Sequence, residues 1–465
     1  MKCILVSCDR SINLRLKFIY IFMLSKMSTM QVFNNFLKSL SISFLFFIPV
    51  AHIAAGQERT ASSKPSAEPD RIVLNINGDP ATSMAVTWRT DTTVSESIAK
   101  ISGNLPTIFL ADSAKEINGT YIDVEGDGVV ARYHSITFKE LIPETEYAYC
   151  LGSGADASEW FTFTTASADP DPFTFIYLGD SQGSNSLYSR VIRKAFRSEP
   201  EAAFMIFSGD LVDGGMGGVL QDDEWAGWHD AASFIAAELP VAPVPGNHEY
   251  YDPADRQKRE LNRYWRPGFA LPENGPSGLE ETAYTYDYQD VRFIFINSSE
   301  MMRNADFAQA QALWVEKLLK ENPCRWTFMI FHHPVFSTAA SRDNYTVRNL
   351  LKPLIDQYHV DMVLTGHDHT YARGTVMPAG EEKKGWQSGT VYVVSVSGAK
   401  QYSQDASHWW EVGLTNTQTW QAITIDKNKL IYKAFNAAGE LADGFIITKK
   451  KNDRKVLRDL PENRK

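Results

Sequence analysis

The chain has 465 residues, of which 44% are apolar and 22% charged, and 46 basic against 56 acidic side chains give a formal net charge of −10. That apolar share excludes a wholly disordered chain, and the length exceeds one ordinary domain of about 150 residues. The acidic balance argues against a protein that coats a polyanion, and the four cysteines (Cys3, Cys8, Cys150 and Cys324) exclude a disulfide-dense scaffold or a cysteine-rich zinc module.

Residues 1–56 form a basic, apolar segment, with six basic side chains against Asp9 alone. Lys38 precedes the apolar run 40–55, which closes on Ala54-Ala55-Gly56 ahead of a polar stretch from Gln57. A charged start, a short apolar core and small residues at the break predict a cleaved secretory signal, and so a secreted, periplasmic or extracellular protein. The run is short for a bilayer span of about 20 residues and contains Pro49 and His52. Met30 is an alternative start. Cleavage after residue 56 would leave 40 basic and 55 acidic side chains, and only Cys150 and Cys324, which either pair or stay as thiols.

Residues 57–70, rich in Ser, Ala, Pro and charge, read as a linker. From 71 to 166 short strands follow one another with turn residues between them. Met84, Val86 and Trp88 alternate with Ala85, Thr87 and Arg89, and similar runs recur at 133–138, 147–151 and 160–165, a β-sandwich pattern. Cys150 lies in such a strand and is expected to be packed, while His134, on another, is expected to be either solvated or packed. The run Leu141-Ile142-Pro143-Glu144-Thr145-Glu146-Tyr147 resembles the tyrosine corner of fibronectin type III modules, with Trp88 in the place of their early core tryptophan.

Past a joint at 166–172 the pattern changes. The apolar run 173–178 ends in Gly179-Asp180, and 204–207 ends in Ser208-Gly209-Asp210. The run 241–245 ends in Gly246-Asn247-His248-Glu249, 326–331 in His332-His333-Pro334, and 363–365 in Gly366-His367-Asp368-His369. Helical stretches are expected at 222–237 and 307–319, the second with Leu313, Trp314 and Leu318 on its core face. Buried strands that each deliver polar residues at the carboxyl end place a site along one sheet edge. The segments 421–425 and 430–434 flank 426–429 as a hairpin, and 449–465 is a charged run expected to be a disordered tail.

These five motifs, in this order, resemble the calcineurin-like metallophosphoesterase superfamily, over about residues 171–448. Purple acid phosphatases and their bacterial relatives are the nearest group, on Trp265-Arg266-Pro267-Gly268-Phe269, Leu271-Pro272-Glu273-Asn274-Gly275-Pro276 and the run 366–373. The resemblance implies a multidomain chain: an all-β fibronectin III-like sandwich at 71–166, then an α/β domain of four αββα layers. It implies two metal ions (Fe, Mn or Zn) bridged by Asp210, with Asp180 and His369 on the first and Asn247, His332 and His367 on the second.

The residue types suit that chemistry. Two cations about 3.5–4 Å apart need a shared carboxylate, and they lower the pKa of bound water towards about 7, giving a hydroxide for in-line attack on phosphorus. His248 is the natural donor to the leaving oxygen. Relatives carry a tyrosine ligand where this chain has Asp213, so no tyrosinate-to-iron colour is expected there. Asp213 is instead expected to pair with His248 as an acid dyad, or to ligate the first metal. Gln182 stands where the wider superfamily has a histidine ligand, and is a candidate weak ligand. His333 and Arg342 are candidate substrate contacts, and Arg342 equally suits a salt bridge. Tyr371 and Arg373 are expected to be structural.

The function so implied is a secreted phosphomonoesterase acting on phosphorylated small molecules. A phosphodiesterase or nucleotide hydrolase is the rival within the class, and a catalytically impaired binding protein the rival outside it. No nucleic-acid partner is expected, and membrane contact only through the export signal.

Overall fold

Alternate burial shapes the N-terminal sheets. Met84, Val86 and Trp88 face Ile136 and Phe138 on one sheet, and Ile101, Tyr149, Leu151, Phe161 and Phe163 on the other, in a single apolar layer. The structure is a computed structural model describing residues 64–214, 221–250, 260–339, 341–377, 389–405, 409–450 and 454–460. The expected export signal lies outside the described residues, and no described helix is long and apolar enough to cross a membrane. The described residues fall within one compact unit, 58–465.

Eight strands build the first region: β1 (Asp70–Asn75), β2 (Met84–Thr90), β3 (Ile98–Gly103), β4 (Lys115–Asn118), β5 (Thr120–Gly126), β6 (Val129–Phe138), β7 (Glu146–Leu151) and β8 (Phe161–Thr164). They form two four-stranded sheets, β1-β2-β6-β5 and β4-β3-β7-β8. The Tyr147 hydroxyl accepts the Ile142 N–H at 2.9 Å, which fixes the corner before β7. Cys150 and Cys324 are both free, so the open pairing question resolves as two thiols.

His134 is fully buried, stacked on Trp88 with ring centroids 4.8 Å apart. Its two ring nitrogens meet Thr90 Oγ1 and Ser97 Oγ, each at 2.8 Å. Burial, reinforced by Arg132, lowers its pKa from 6.5 to about 4. The unfolded chain therefore binds the extra proton, and stability falls as pH drops from about 6.5 to about 4. Urea unfolding followed across that window should show the loss, and His134→Gln should flatten it.

The sandwich is not a loosely tethered module. Arg71 donates to both carboxylate oxygens of Asp222, at 2.8 and 2.9 Å, and to Tyr133. Asn75 spans the junction, donating to the Val241 carbonyl at 2.7 Å and accepting the Ala270 N–H at 2.9 Å.

Two seven-stranded sheets follow. The first holds β9 (Phe173–Leu178), β10 (Met205–Phe207), β11 (Val241–Pro243), β19 (Thr419–Asp426), β20 (Lys429–Asn436), β21 (Leu441–Lys449) and β22 (Lys455–Asp459), in the order β11-β10-β9-β19-β20-β21-β22. The second holds β12 (Tyr284–Tyr288), β13 (Val291–Ile296), β14 (Trp326–Phe331), β15 (Met362–Thr365), β16 (Tyr371–Val376), β17 (Thr390–Val394) and β18 (Val412–Leu414), ordered β12-β13-β14-β15-β17-β16-β18. Their inner faces share one core, from Phe175 and Ile206 to Phe293, Phe328 and Leu364. The helix Asn185–Ser198 buries Tyr188, Val191, Ile192 and Ala195 in the same core, while the helices Ala305–Lys320 and Tyr345–Gln357 pack on the far face of the second sheet. The four αββα layers are thus present.

Two expectations change. The helix Ala305–Lys320 buries Ala308, Ala312, Val315 and Leu319, while Leu313 is 57% exposed, because the apolar stripe is rotated from the one expected. The expected disordered tail instead supplies β22, paired antiparallel to β21 with Ile447 opposite Leu457. Part of its charge is met locally: the ammonium groups of Lys449 and Lys455 both reach the buried Asp361 carboxylate, at 2.7 and 3.3 Å. Arg373 is likewise structural, forking onto Asp443 at 2.8 and 2.9 Å and reaching Glu411 and Asp459.

Candidate metal centre

Parallel register brings the strand ends together. Phe207 on β10 lies opposite Leu178 on β9 and Pro243 on β11, and Ile330 on β14 lies opposite Leu364 on β15. The loops after these five strands therefore leave their sheets at one edge. Across it, Asp180 makes an isolated parallel bridge to Val396, and its carbonyl accepts the N–H groups of Ser397 and Gly398. That link ties the first sheet to the second at the site.

The loops are tight. Asp210, His367 and His369 all have positive φ, at 51°, 71° and 47°. Such backbone is costly for residues with a side chain and persists only where the surroundings impose it. Gly246 and Gly366 leave the room: a Cβ on either would lie 2.1 Å from Asp210 Oδ1 or 2.0 Å from Asp180 Oδ1.

Six of the sequence candidates converge. The ligand atoms of Asp180, Asp210 and His369 lie within 4.8 Å of one another, as do those of Asp210, His332 and His367. Asp210 belongs to both groups. Asn247 joins the second, its Oδ1 3.2 Å from His332 Nε2. His332 Nε2 also lies 3.1 Å from Asp210 Oδ2 and 3.1 Å from His367 Nδ1.

Hydrogen bonding on the outer nitrogens sets the imidazole orientation. His332 Nδ1 faces the Ser208 carbonyl at 2.8 Å, and His369 Nδ1 faces the Lys400 carbonyl at 3.1 Å. A carbonyl only accepts, so both Nδ1 atoms carry hydrogen, and both Nε2 atoms present lone pairs to the carboxylates when the rings are neutral. Acceptors then face acceptors: His332 Nε2, Asp210 Oδ2, Asn247 Oδ1 and His367 Nδ1 converge with too few protons among them. A cation at each group satisfies that donor set, so the residues fit divalent or trivalent metals with mixed oxygen and nitrogen ligands.

The electrostatics agree. Burial works to raise the Asp210 pKa, but His332 and His248 outweigh it and hold the carboxylate well below its usual range. Burial, with the Asp210 charge adding to it, pushes Asp180 up to about 8. Burial also lowers His369 to about 3 and His367 well below the usual imidazole value, so both are neutral ligands. His332 goes the other way, to about 9: burial is outweighed by Asp210 and Asp180. Without a cation, a proton supplies the charge those carboxylates demand.

His248 lies beside Asp210: its N–H donates to Oδ1 at 2.9 Å, and its Nε2 is 3.9 Å from Oδ2. Asp213 reaches His248 differently from the expected dyad. The bond from His248 Nδ1, at 3.0 Å, goes to the main-chain carbonyl of Asp213 and not to its carboxylate.

Gln182 is buried with its amide engaged at both ends. Nε2 donates to the Val212 carbonyl at 3.0 Å, and Oε1 accepts from Lys400 Nζ at 3.2 Å. His333 is a neighbour of the second group, its Nδ1 3.0 Å from Ser298 Oγ and its ring 4.3 Å from that of His367. Burial lowers its pKa to about 3. Arg342 donates to Asp368 Oδ1 at 2.9 Å and to the His367 carbonyl at 2.7 Å, bracing the loop that carries His367 and His369.

Glu249 was given no role from sequence. Its carboxylate, fully buried, accepts the N–H groups of Asp210 at 2.9 Å, Leu211 at 2.8 Å and Gly246 at 2.6 Å, and lies 3.4 Å from that of Val212. It therefore holds the left-handed turn that presents Asp210. The signal was present, since Glu249 ends the Gly-Asn-His-Glu motif. Lys400 left no comparable signal.

Two stacked mixed sheets with a carboxylate shared by two ligand groups at their edge suit a metal-dependent hydrolase. Residues 173–371 match the calcineurin-like phosphoesterase family, and residues 69–165 match the purple acid phosphatase N-terminal domain. The chain therefore carries a calcineurin-like phosphoesterase domain behind a purple acid phosphatase N-terminal domain. Human acid phosphatase type 7 is 24% identical over 339 residues, covering 66% of this chain and 71% of that protein. An uncharacterized protein of Mycobacterium tuberculosis is also 24% identical, over 64% of this chain and 61% of its own length. Among solved structures, purple acid phosphatase from yellow lupin (Lupinus luteus) seeds superposes with a TM-score of 0.68 at 18% identity, over 83% of this chain and 75% of that one.

Proposed function

We propose that the chain is an exported phosphomonoesterase that works with two cations drawn from Fe, Mn and Zn. The observation that carries this reading is the Asp210 carboxylate, common to both ligand groups. Asp180 and His369 complete the first, and Asn247, His332 and His367 the second. Cations held there would lower the pKa of water and offset the charge of a phosphoryl group in flight. The name of the human relative, an acid phosphatase, favours the monoester.

The chain's own part is positioning and proton supply. Hydrogen-bonded carbonyls at Ser208 and Lys400 fix the imidazoles of His332 and His369 before any ligand arrives, so little reorganisation is left for binding. With Nδ1 committed to the Asp213 carbonyl, Nε2 is the ring atom of His248 turned towards Asp210 and the site. From there it donates to the leaving oxygen, a contribution of about 10²–10⁴-fold in rate.

Turnover of nitrophenyl phosphate against its bis-ester, with added Mn, Zn or Fe, tests the reading. The expected result is faster hydrolysis of the monoester. Faster diester turnover would reverse the substrate class, and no hydrolysis with any of the three metals would sink the enzyme reading.

A further inference from the structure

Lys400 orients His369 through its main-chain carbonyl, but no part of the proposed chemistry uses its ammonium group. Its main chain is locked to Gln182: the N–H groups of Ala399 and Lys400 both point at the Gln182 carbonyl, at 2.9 and 3.5 Å. The packing there leaves no slack. A Cβ on Gly398 would lie 2.2 Å from the Gln182 carbonyl, and one on Gly183 would lie 2.9 Å from the Lys400 nitrogen. Its own carbonyl orients His369, and Tyr402, two residues on, packs its ring 4.5 Å from that of His369.

The side chain completes the arrangement. Lys400 Nζ donates to Gln182 Oε1 at 3.2 Å, while the other end of that amide is committed to Val212. The one oxygen through which Gln182 could ligate a metal is thus turned to an ammonium group. A positive charge thus sits on the amide that was the candidate extra ligand of the first site. The first group is left with Asp180, Asp210 and His369, whereas the second has Asp210, Asn247, His332 and His367.

We infer that Lys400 makes the two cation sites unequal, withholding Gln182 from the first site and repelling its occupant, so that the second site fills first and the first binds weakly. This deepens the proposed two-cation reading and rests on it. Lys400 is a positioning and affinity-setting residue in this account and takes no part in the chemical step.

Calorimetric titration of the full, chelator-stripped chain with Mn²⁺ alone tests the inference without any turnover. The expected result is two Mn²⁺ per chain with affinities at least about tenfold apart. Lys400→Met and Lys400→Gln should tighten the weaker site by about 10–100-fold, the size of effect that groups behind metal ligands exert, and leave the stronger unchanged. Lys400→Arg, which keeps the charge, should keep the spread. Equal affinities in the unaltered chain would overturn the inference, as would a weak site indifferent to both uncharged variants. A chain that binds no Mn²⁺ at all would instead overturn the two-cation reading beneath it.

Discussion

Asp210→Asn should lower kcat/KM on a phosphomonoester by about 10²–10³-fold or more, the scale of losing one preorganised charge-stabilising group. The carboxylate serves both ligand groups, so the loss is felt at both. Oδ2 sits 3.1 Å from His332 Nε2, and Oδ1 accepts the His248 N–H at 2.9 Å. An amide keeps the shape, removes the charge and turns an NH₂ towards one of these two partners. His332, whose pKa is raised by Asp210 and Asp180 against burial, loses part of that support. Metal content of the purified variant should fall with activity while its far-ultraviolet dichroism stays unchanged. Activity within tenfold of the parent, at full metal content, would remove Asp210 from its proposed role.

The second large effect is expected at Glu249, which touches neither substrate nor metal in this account. Its two carboxylate oxygens accept from Asp210 and Gly246 on one side and from Leu211 on the other, with Val212 at longer range. Glu249→Gln leaves one acceptor oxygen and sets an NH₂ against main-chain N–H donors. Each buried donor left without a partner costs about 1–3 kcal/mol, so a total loss of about 2–5 kcal/mol is expected from urea unfolding. Domains of ordinary stability have only about 5–15 kcal/mol to lose. The turn carrying Asp210 at φ 51° should relax, and a displacement of about 1 Å there costs about 10²-fold in rate. Unchanged unfolding free energy in Glu249→Gln would show that the turn holds itself.

The site was legible in the sequence because each of its ligand residues ends a buried strand, where the backbone leaves little choice of direction. Asp180, Asp210, Asn247, His332, His367 and His369 sit within a few residues of β9, β10, β11, β14 and β15, and parallel pairing carries them to one edge. What escaped depends on contacts across long stretches of chain. Lys400 meets Gln182 across 218 residues, with nothing local to announce the pairing. The C-terminal strand escaped for a related reason. Lys449 and Lys455 look solvated until Asp361, on a distant loop, supplies the charge that lets them be buried. The expected Asp213–His248 dyad is replaced by a main-chain contact, and sequence gives no means of telling a main-chain oxygen from a carboxylate.

The strand order of the first large sheet fixes when the site can come into being. β9 delivers Asp180 early in the chain, yet its partner on one side is β19, and Asp180 itself is tied to Val396, Ser397 and Gly398. Such long-range pairings bring a loop-closure cost before any reward, and they slow folding. The N-terminal sandwich has all its strands in hand by residue 164, but the catalytic edge waits for residues beyond 396. During synthesis the chain therefore carries all the strands of the sandwich ahead of an unclosed site. Activity arrives late and all at once, when the residues beyond 396 have been made and folded back.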